Sequence, residues 1–256
     1  MIKYFIIALS LLLFSCIDII TEEEFYESIY LENSGWFEFY ENIVGNDLNV
    51  SRNYTLQLWF SGKELSDLEA ACILNINDTN LNLSIYRNSN INNQLTIYLN
   101  DQLASEITIE NVDFNNQNNF YLLSIIVDDQ TLSIYFNENQ ILQENISQSL
   151  NPSFIVGAYK SNDTISNLWY GYIDEIRIWN QSLTQNVIEF HNQYKYKVSS
   201  SYEDDYLDAL IGLWCFRLNV EGETASNVFR DENDSNNYSI LYTYGISSNE
   251  LSTNGR

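Results

Sequence analysis

The feature that most restricts the fold of this chain is a succession of short segments in which apolar and polar residues alternate. Residues 54–60 read YTLQLWF, so large apolar side chains occupy every second position. Further segments rich in β-branched and aromatic residues cover 73–76, 81–86, 95–99, 107–109, 120–127, 132–136, 141–145 and 154–156. Asn, Asp, Gly and Ser separate them, as in strands joined by turns. This spacing predicts an all-β fold, an antiparallel β-sandwich or barrel.

Two of these segments are near-copies of each other, LTIYLND at residues 95–101 and LSIYFNE at residues 132–138. Each is a strand that runs into Asn-Asp or Asn-Glu. Asn and Asp tolerate the left-handed backbone conformation and bond to their own backbone, so both copies predict β-hairpins.

One short helix is predicted after residue 181. Ser182 and Gln185 have the spacing of a capping box, and Thr184 is an alternative N-cap. Apolar residues then recur at helical spacing as far as Tyr194. The only histidine, His191, is expected on this helix as an ordinary side chain, with no Cys or His nearby to form a zinc site.

Composition excludes some classes of protein and partner. A hydrophobic fraction of 45% with 14% aromatic residues is that of a folded globular protein. The formal net charge of −24 creates a negative field that repels phosphate backbones and anionic membrane surfaces. Nucleic acid is therefore not an expected partner.

The N-terminus has the features of an export signal. Lys3 precedes an apolar run over residues 4–14, which is shorter than the roughly 20 residues that span a bilayer. Residues 13–16, LFSC, resemble the lipobox of bacterial lipoproteins. This resemblance implies that residues 1–15 are removed and that Cys16 is acylated. The expected location is the bacterial cell envelope, at the outer membrane or cell surface, with the lipid anchor as the only membrane contact; the alternative is an ordinary signal peptide.

Cys72 and Cys215 are the remaining cysteines. A disulfide between them is chemically permitted in an exported protein, but the sequence cannot show that their Cα atoms are close enough. Two unpaired thiols are the default expectation.

The segment WYGYIDEIRIWNQSL, residues 169–183, resembles a motif of the laminin-G-like and pentraxin-like branch of the concanavalin A-like lectin/glucanase superfamily. Residues 54–60 and 132–137 are similar to other strands of that family, and the resemblance covers roughly residues 36–194. It implies a concanavalin A-like jelly roll over residues 34–198. Residues 16–33 are then a tether, and the apolar stretch 210–216 lies in a C-terminal extension, residues 199–256, that docks on the sandwich.

Glucanases of this superfamily carry acidic residues at alternate positions of one strand, where two carboxylates face one cleft. The nearest match contains Asp174 and Glu175, which alternation places on opposite faces, and the next residue of the right parity is not acidic. No Ser or Cys with a histidine base is available either, because His191 is the only histidine and the thiols lack a partner. The sequence therefore predicts a protein that is not an enzyme.

The resemblance also raises the possibility of calcium, which this family often binds through loop oxygens. The corresponding positions, residues 158–161, read AYKS and lack carboxylates. Only a low-affinity calcium site built from Asp78, Asn162 or Asp163 is conceivable, and a solvated polar turn is the simpler interpretation. No cofactor is expected.

Two functions remain open for such a module. In the first, exposed aromatic residues bind a glycan, and Trp36, Tyr159 and Trp169 are the candidates. In the second, the domain is a structural module or binds a surface protein without a small ligand. Trp59, Trp179 and Trp214 are expected in the core. The two functions differ in whether non-core aromatics cluster in a groove beside acidic or amide groups.

Overall fold

The structure is a computed structural model that describes residues 28–32, 35–39, 52–65, 70–88, 90–148, 152–162, 164–195, 207–215, 228–229, 241–244 and 251–252. In chain order the strands are β1 (Ser28–Glu32), β2 (Trp36–Phe39), β3 (Tyr54–Gly62), β4 (Ala70–Asn77), β5 (Asn82–Asn88), β6 (Gln94–Leu99), β7 (Gln102–Thr108), β8 (Tyr121–Asp128), β9 (Thr131–Phe136), β10 (Asn139–Asn145), β11 (Ser153–Val156), β12 (Tyr159–Ser161), β13 (Thr164–Ser166), β14 (Tyr170–Trp179), β15 (Leu210–Cys215), β16 (Val228–Phe229), β17 (Leu241–Tyr244) and β18 (Leu251–Ser252). Within the described residues, the α-helix α1 covers Gln185–Gln193 and a short 3-10 helix covers Leu207–Ala209.

Sixteen of the described strands form two large antiparallel sheets, and β12 pairs with β13 in a separate hairpin. Sheet A has the order β10-β9-β8-β3-β14-β1-β18, and β15 also pairs with β14. Sheet B has the order β16-β17-β2-β11-β4-β5-β6-β7. Apolar side chains from both sheets form one buried cluster between them. The predicted all-β sandwich with one short helix is confirmed.

Sheet A is buried on both faces over part of its area. All nine residues of β3 are buried, although the alternation in its sequence suggests a strand with one buried face. The reason is a second apolar cluster, in which Trp59 and Trp179 pack with Ile188 of α1. Trp179 also donates a hydrogen bond from Nε1 to Gln57 Oε1 at 3.1 Å. Trp59 and Trp179 lie in this cluster and Trp214 in the main one, so all three are core residues, as expected.

The predicted hairpins are both present. Asn100 and Asp101 join β6 to β7 with φ of 51° and 61°, which is the two-residue turn that matches the twist of a hairpin. Asn137, with φ of 53°, joins β9 to β10. Its side chain accepts a hydrogen bond from the Leu122 backbone N–H at 3.0 Å.

Helix α1 begins two residues later than the predicted capping box, in which Ser182 would be the N-cap. Thr184 is the N-cap, but its side chain makes no capping hydrogen bond. Gln185 is therefore the first helical residue, not the third, and it donates instead to Glu189 Oε1 one turn later at 2.9 Å. His191 lies on this helix as expected, but it is fully buried and stacked on Trp179 with ring centroids 5.4 Å apart.

Both ends of the described chain contribute strands. Residues 28–32 were assigned to the tether, but they form β1, which pairs with β14 from Ile29–Ile173 to Glu32–Tyr170. The sequence prediction placed this boundary too late because an acidic stretch precedes it; the apolar Leu31 is fully buried in the main core. At the other end, β15 pairs with β14 and β17 pairs with β2.

Candidate ligand-binding groove

The clearest candidate site is a cavity of about 430 Å³ on the face of sheet B that points away from the core. Its floor is formed by β5 and β6, and the β12–β13 hairpin contributes one wall. Three half-buried tyrosines line it, Tyr86, Tyr98 and Tyr159. We call it the tyrosine groove.

Alternation along two neighbouring strands explains why these side chains lie together. In β5 and β6, Ile85 and Ile97 point into the main core and are directly opposite each other. The residues that follow them, Tyr86 and Tyr98, therefore point to the outer face. Their rings meet edge to face with centroids 5.6 Å apart.

The third tyrosine comes from the hairpin. The ring centroid of Tyr159 lies 6.1 Å from that of Tyr86, with an angle of 45° between the rings. Burial is the main reason why the pKa of Tyr86 is raised above its ordinary value, and the nearby Cys72 raises it further. The Tyr86 hydroxyl therefore keeps its proton further into the alkaline range than an ordinary tyrosine, and it can donate a hydrogen bond.

Polar groups surround the aromatic rings. Two exposed carboxylates, Asp101 and Glu106, lie on the groove, together with the side-chain amides of Asn88 and Asn167. Three hydroxyls complete the polar lining, those of Ser84, Thr96 and Ser166. The groove is therefore mostly polar around three aromatic rings, and its volume is in the usual range for small-molecule sites.

Lys160, the residue after Tyr159, holds the β12–β13 hairpin against sheet B. The Lys160 backbone N–H donates to Asn75 Oδ1 at 3.1 Å, and Asn77 Nδ2 donates to the Lys160 carbonyl at 3.1 Å. The Lys160 ammonium forms an ion pair with the buried carboxylate of Glu38. Two hydrogen bonds to the Lys160 backbone and one ion pair of its side chain therefore hold this wall of the groove in place.

The three aromatic residues predicted for ligand binding are in different environments. Tyr159 lines the groove. Trp36 is half-buried on β2 and is not among the groove residues. Trp169 is fully buried, with its ring edge to face against Phe60 at 5.6 Å, so its prediction as a ligand contact is wrong. It directly precedes β14 in the chain.

Sequence reasoning missed Tyr86 and Tyr98. The sequence contained a clue to both, because each tyrosine directly follows an isoleucine that points into the core, and alternation then places the tyrosine on the outer face. This clue could be interpreted only once β5 and β6 were known to be neighbours.

Two of the three candidate calcium ligands, Asp78 and Asn162, belong to the described part of the chain. Asp78 Oδ1 accepts a hydrogen bond from the Thr79 backbone N–H. Asn162 is exposed at the hairpin turn with φ of 53°, and Asp163 lies outside the described residues. Within the part of the chain that the structure describes, no group of three or more His, Cys, Asp or Glu side chains is placed to hold a metal ion.

The acidic pair of β14 is arranged differently from the prediction. A register shift between Ile173 and Glu175 interrupts the pairing of β14 with β3, and such a bulge breaks strict alternation. Asp174 pairs with Lys195, and Glu175 pairs with Arg177, whose guanidinium donates to the Lys195 carbonyl. The two carboxylates therefore join one ion-pair network instead of pointing to opposite faces. Both are only 3% exposed, so neither faces an open cleft.

Cys72 is a free, buried thiol on β4, and burial raises its pKa. It donates to the Leu74 carbonyl at 3.3 Å, so the disulfide considered above is not formed. Cys16 lies outside the described residues. Over the described ranges, no helix combines the length and apolar character needed to cross a bilayer.

Comparison with known proteins gives similar folds at low sequence identity. No curated protein sequence is significantly similar to this chain. A candidate carbohydrate-binding protein from Bacteroides ovatus has a TM-score of 0.55 at 14% identity, over 87% of this chain and 59% of that one. This chain thus spans about 59% of that protein's length.

Two further structures are more distant. A heptameric SAP-like pentraxin from Limulus polyphemus has a TM-score of 0.46 at 13% identity, over 66% of this chain and 83% of that one. A Trypanosoma rangeli sialidase mutant that displays trans-sialidase activity has a TM-score of 0.45 at 13% identity, over 58% of this chain and 24% of that one.

The family comparison covers more than half of the chain. Residues 35–189 match a laminin G-type model of the concanavalin A-like lectin/glucanases superfamily. This range includes the strands β2 to β14, which build the groove and most of both sheets. The chain therefore belongs to the concanavalin A-like lectin/glucanases superfamily.

Proposed function

We propose that this chain is a lipid-anchored protein of the bacterial cell envelope whose sandwich binds carbohydrate in the tyrosine groove. The observation that carries the proposal is the clustering of Tyr86, Tyr98 and Tyr159 beside carboxylates and amides. Sugar rings have apolar C–H faces that pack on aromatic rings and hydroxyls that bond to carboxylates and amides. The groove offers both kinds of contact.

Two further facts support a binding role. The similar Bacteroides ovatus structure is that of a candidate carbohydrate-binding protein. The buried ion pairs of Asp174 and Glu175 leave these carboxylates no open cleft in which to act on a substrate. We therefore propose a binding module and not an enzyme, with no requirement for calcium.

A second candidate function is a structural or protein-interaction module without a small ligand. Leu103 favours it, because this apolar side chain is 55% exposed. It lies on β7, an edge strand of sheet B in the described part of the chain. An exposed edge strand that carries an apolar side chain can contact another protein.

A glycan array probed with the purified protein tests the main proposal, followed by calorimetry on the best oligosaccharide. We expect Tyr86→Ala and Tyr159→Ala each to weaken binding by about tenfold, which is the effect of losing one aromatic contact of about 1.4 kcal/mol. Tyr194→Ala is the matched control, because Tyr194 is 41% exposed at the end of α1, outside the groove. Binding should persist in chelator.

Two results would count against glycan binding in the groove. One is a protein that retains no glycan on the array, which would favour the protein-interaction module. The other is a bound glycan whose affinity is unchanged in both groove variants.

The lipid anchor has a separate test. Cells expressing the chain are labelled with a fatty-acid analogue, and Cys16→Ala should abolish the label. Label that remains on the Cys16→Ala protein would contradict the lipoprotein proposal without affecting the groove.

A further inference from the structure

We propose that the tyrosine groove selects uncharged glycans and rejects those that carry carboxylate or sulfate groups; this inference rests on the carbohydrate-binding function proposed above. Asp101 and Glu106 both lie on the groove, and both are exposed. A saccharide that packs on the tyrosine rings must therefore sit beside two negative charges.

The described groove residues supply no positive charge to offset Asp101 and Glu106. Among the described residues that line the groove, none is Lys, Arg or His. The strands that build it do carry basic residues, but these are engaged elsewhere. Arg87 of β5 is buried, and its guanidinium donates to the Phe114 carbonyl at 2.6 Å. Lys160 of β12 is paired with Glu38.

The two carboxylates have positions that suit recognition of hydroxyls. Asp101 is fixed in the β6–β7 turn, where its Oδ1 accepts a hydrogen bond from Asn82 Nδ2 at 3.1 Å. Carboxylate oxygens have spare acceptor capacity, and hydrogen bonds to a charged acceptor are stronger than neutral ones. For an uncharged sugar these groups are hydrogen-bond acceptors, whereas for a uronate or sulfated sugar they are like charges.

The net charge of the protein acts in the same direction. With a formal charge of −24, the whole molecule repels anionic ligands, but salt screens this contribution beyond roughly 8 Å at physiological ionic strength. The groove carboxylates act at shorter range and should therefore still discriminate at that salt concentration.

The experiment uses neutral gluco-, galacto-, manno- and xylo-oligosaccharides, each paired with an anionic counterpart of the same backbone, either a uronate or a sulfate ester. Calorimetry at physiological salt compares the purified protein with the double variant D101N/E106Q, which removes the groove charges with little change of shape. The control is D128N/E144Q, because Asp128 and Glu144 are exposed on strands of sheet A and change the net charge equally.

We expect a neutral oligosaccharide to bind at least tenfold more tightly than its anionic counterpart. This ratio should fall several-fold in D101N/E106Q and remain the same in D128N/E144Q. Tyr86→Ala should weaken binding of the neutral probe in every background.

Each other outcome overturns a defined statement. Equal or tighter binding of the anionic probe, still sensitive to Tyr86→Ala, overturns the charge selection and leaves the glycan groove in place. An equal drop of the ratio in both double variants overturns the role of Asp101 and Glu106. Binding of neither probe type overturns the carbohydrate-binding function, and the selection with it.

Discussion

At the scale of single residues, Tyr159 and Trp169 have opposite environments although ten positions separate them. Tyr159 is half-buried in the groove, whereas Trp169 is fully buried beside Phe60 and Arg87. The space around Arg87 depends on Gly62, since a Cβ there would lie 2.1 Å from Arg87 Nη1. Burial lowers the pKa of Arg87 to about 10, which still leaves it charged at neutral pH.

Trp169→Ala should reduce the free energy of unfolding by about 3–5 kcal/mol, because it leaves a cavity in the main core. The matched variant Tyr159→Ala should reduce it by less than about 1.5 kcal/mol, because the ring is partly in solvent already. Urea unfolding of both variants measures the difference. Equal stability losses would mean that Trp169 is not a core residue or that Tyr159 is one.

Tyr86 makes the free energy of unfolding depend on pH in the alkaline range. Burial raises its pKa in the folded protein above the ordinary value near 10 of an unfolded chain. The folded state therefore favours the protonated phenol, and the stability that this provides is present below about pH 10 and lost as pH rises above it. Tyr86→Phe should make urea midpoints fall less steeply above pH 10. An unchanged slope would contradict the burial of this hydroxyl.

At the scale of elements, the hairpin β12–β13 is attached to sheet B through Lys160. Its amide, carbonyl and ammonium bond to Asn75, Asn77 and Glu38, which lie on β4 and β2. The attachment sets the distance between the Tyr159 ring and Tyr86.

Lys160→Met should loosen this hairpin, because Glu38 is only 3% exposed and loses its counter-charge. We expect faster amide hydrogen exchange in β12 and β13, weaker glycan binding, and a stability loss of about 2–4 kcal/mol. The double variant E38Q/K160M removes both charges and should recover part of the stability. Exchange rates in β12 and β13 identical to those of the parent would show that the ion pair does not hold the hairpin.

The elements were more predictable from the sequence than the groove. Residues 121–128 and 131–136 form strands close to their predicted bounds, because alternation and turn residues are local signals. The groove depends on contacts between Tyr86, Tyr98 and Tyr159, which come together only through sheet order and hairpin docking. The bulge in β14 could not be predicted from the sequence either, since Asp174 and Glu175 follow ordinary alternation there.

At the scale of the whole molecule, sheet A is covered on both faces over part of its area, and sheet B carries the groove on its outer face. Helix α1 and Leu210 of β15 contribute to the second apolar cluster, while Trp214 belongs to the main core. The C-terminal part thus contacts both clusters. The outer face of sheet B remains open over the groove.

Truncating the chain at Ser201 should give insoluble or strongly destabilised protein, because it removes β15 from its pairing with β14. Trp214 is fully buried in the main core, and losing one such side chain alone is expected to reduce stability by about 3–5 kcal/mol. The cut also uncovers one edge of β14 along Glu175–Trp179. Solubility and thermal melting compare the truncated chain with the parent. Trp214→Ala in the full chain provides a second measurement that keeps β15 in place, and it should lower the melting temperature. If the truncated chain is soluble and melts like the parent, the strand β15 is not part of the cooperative unit.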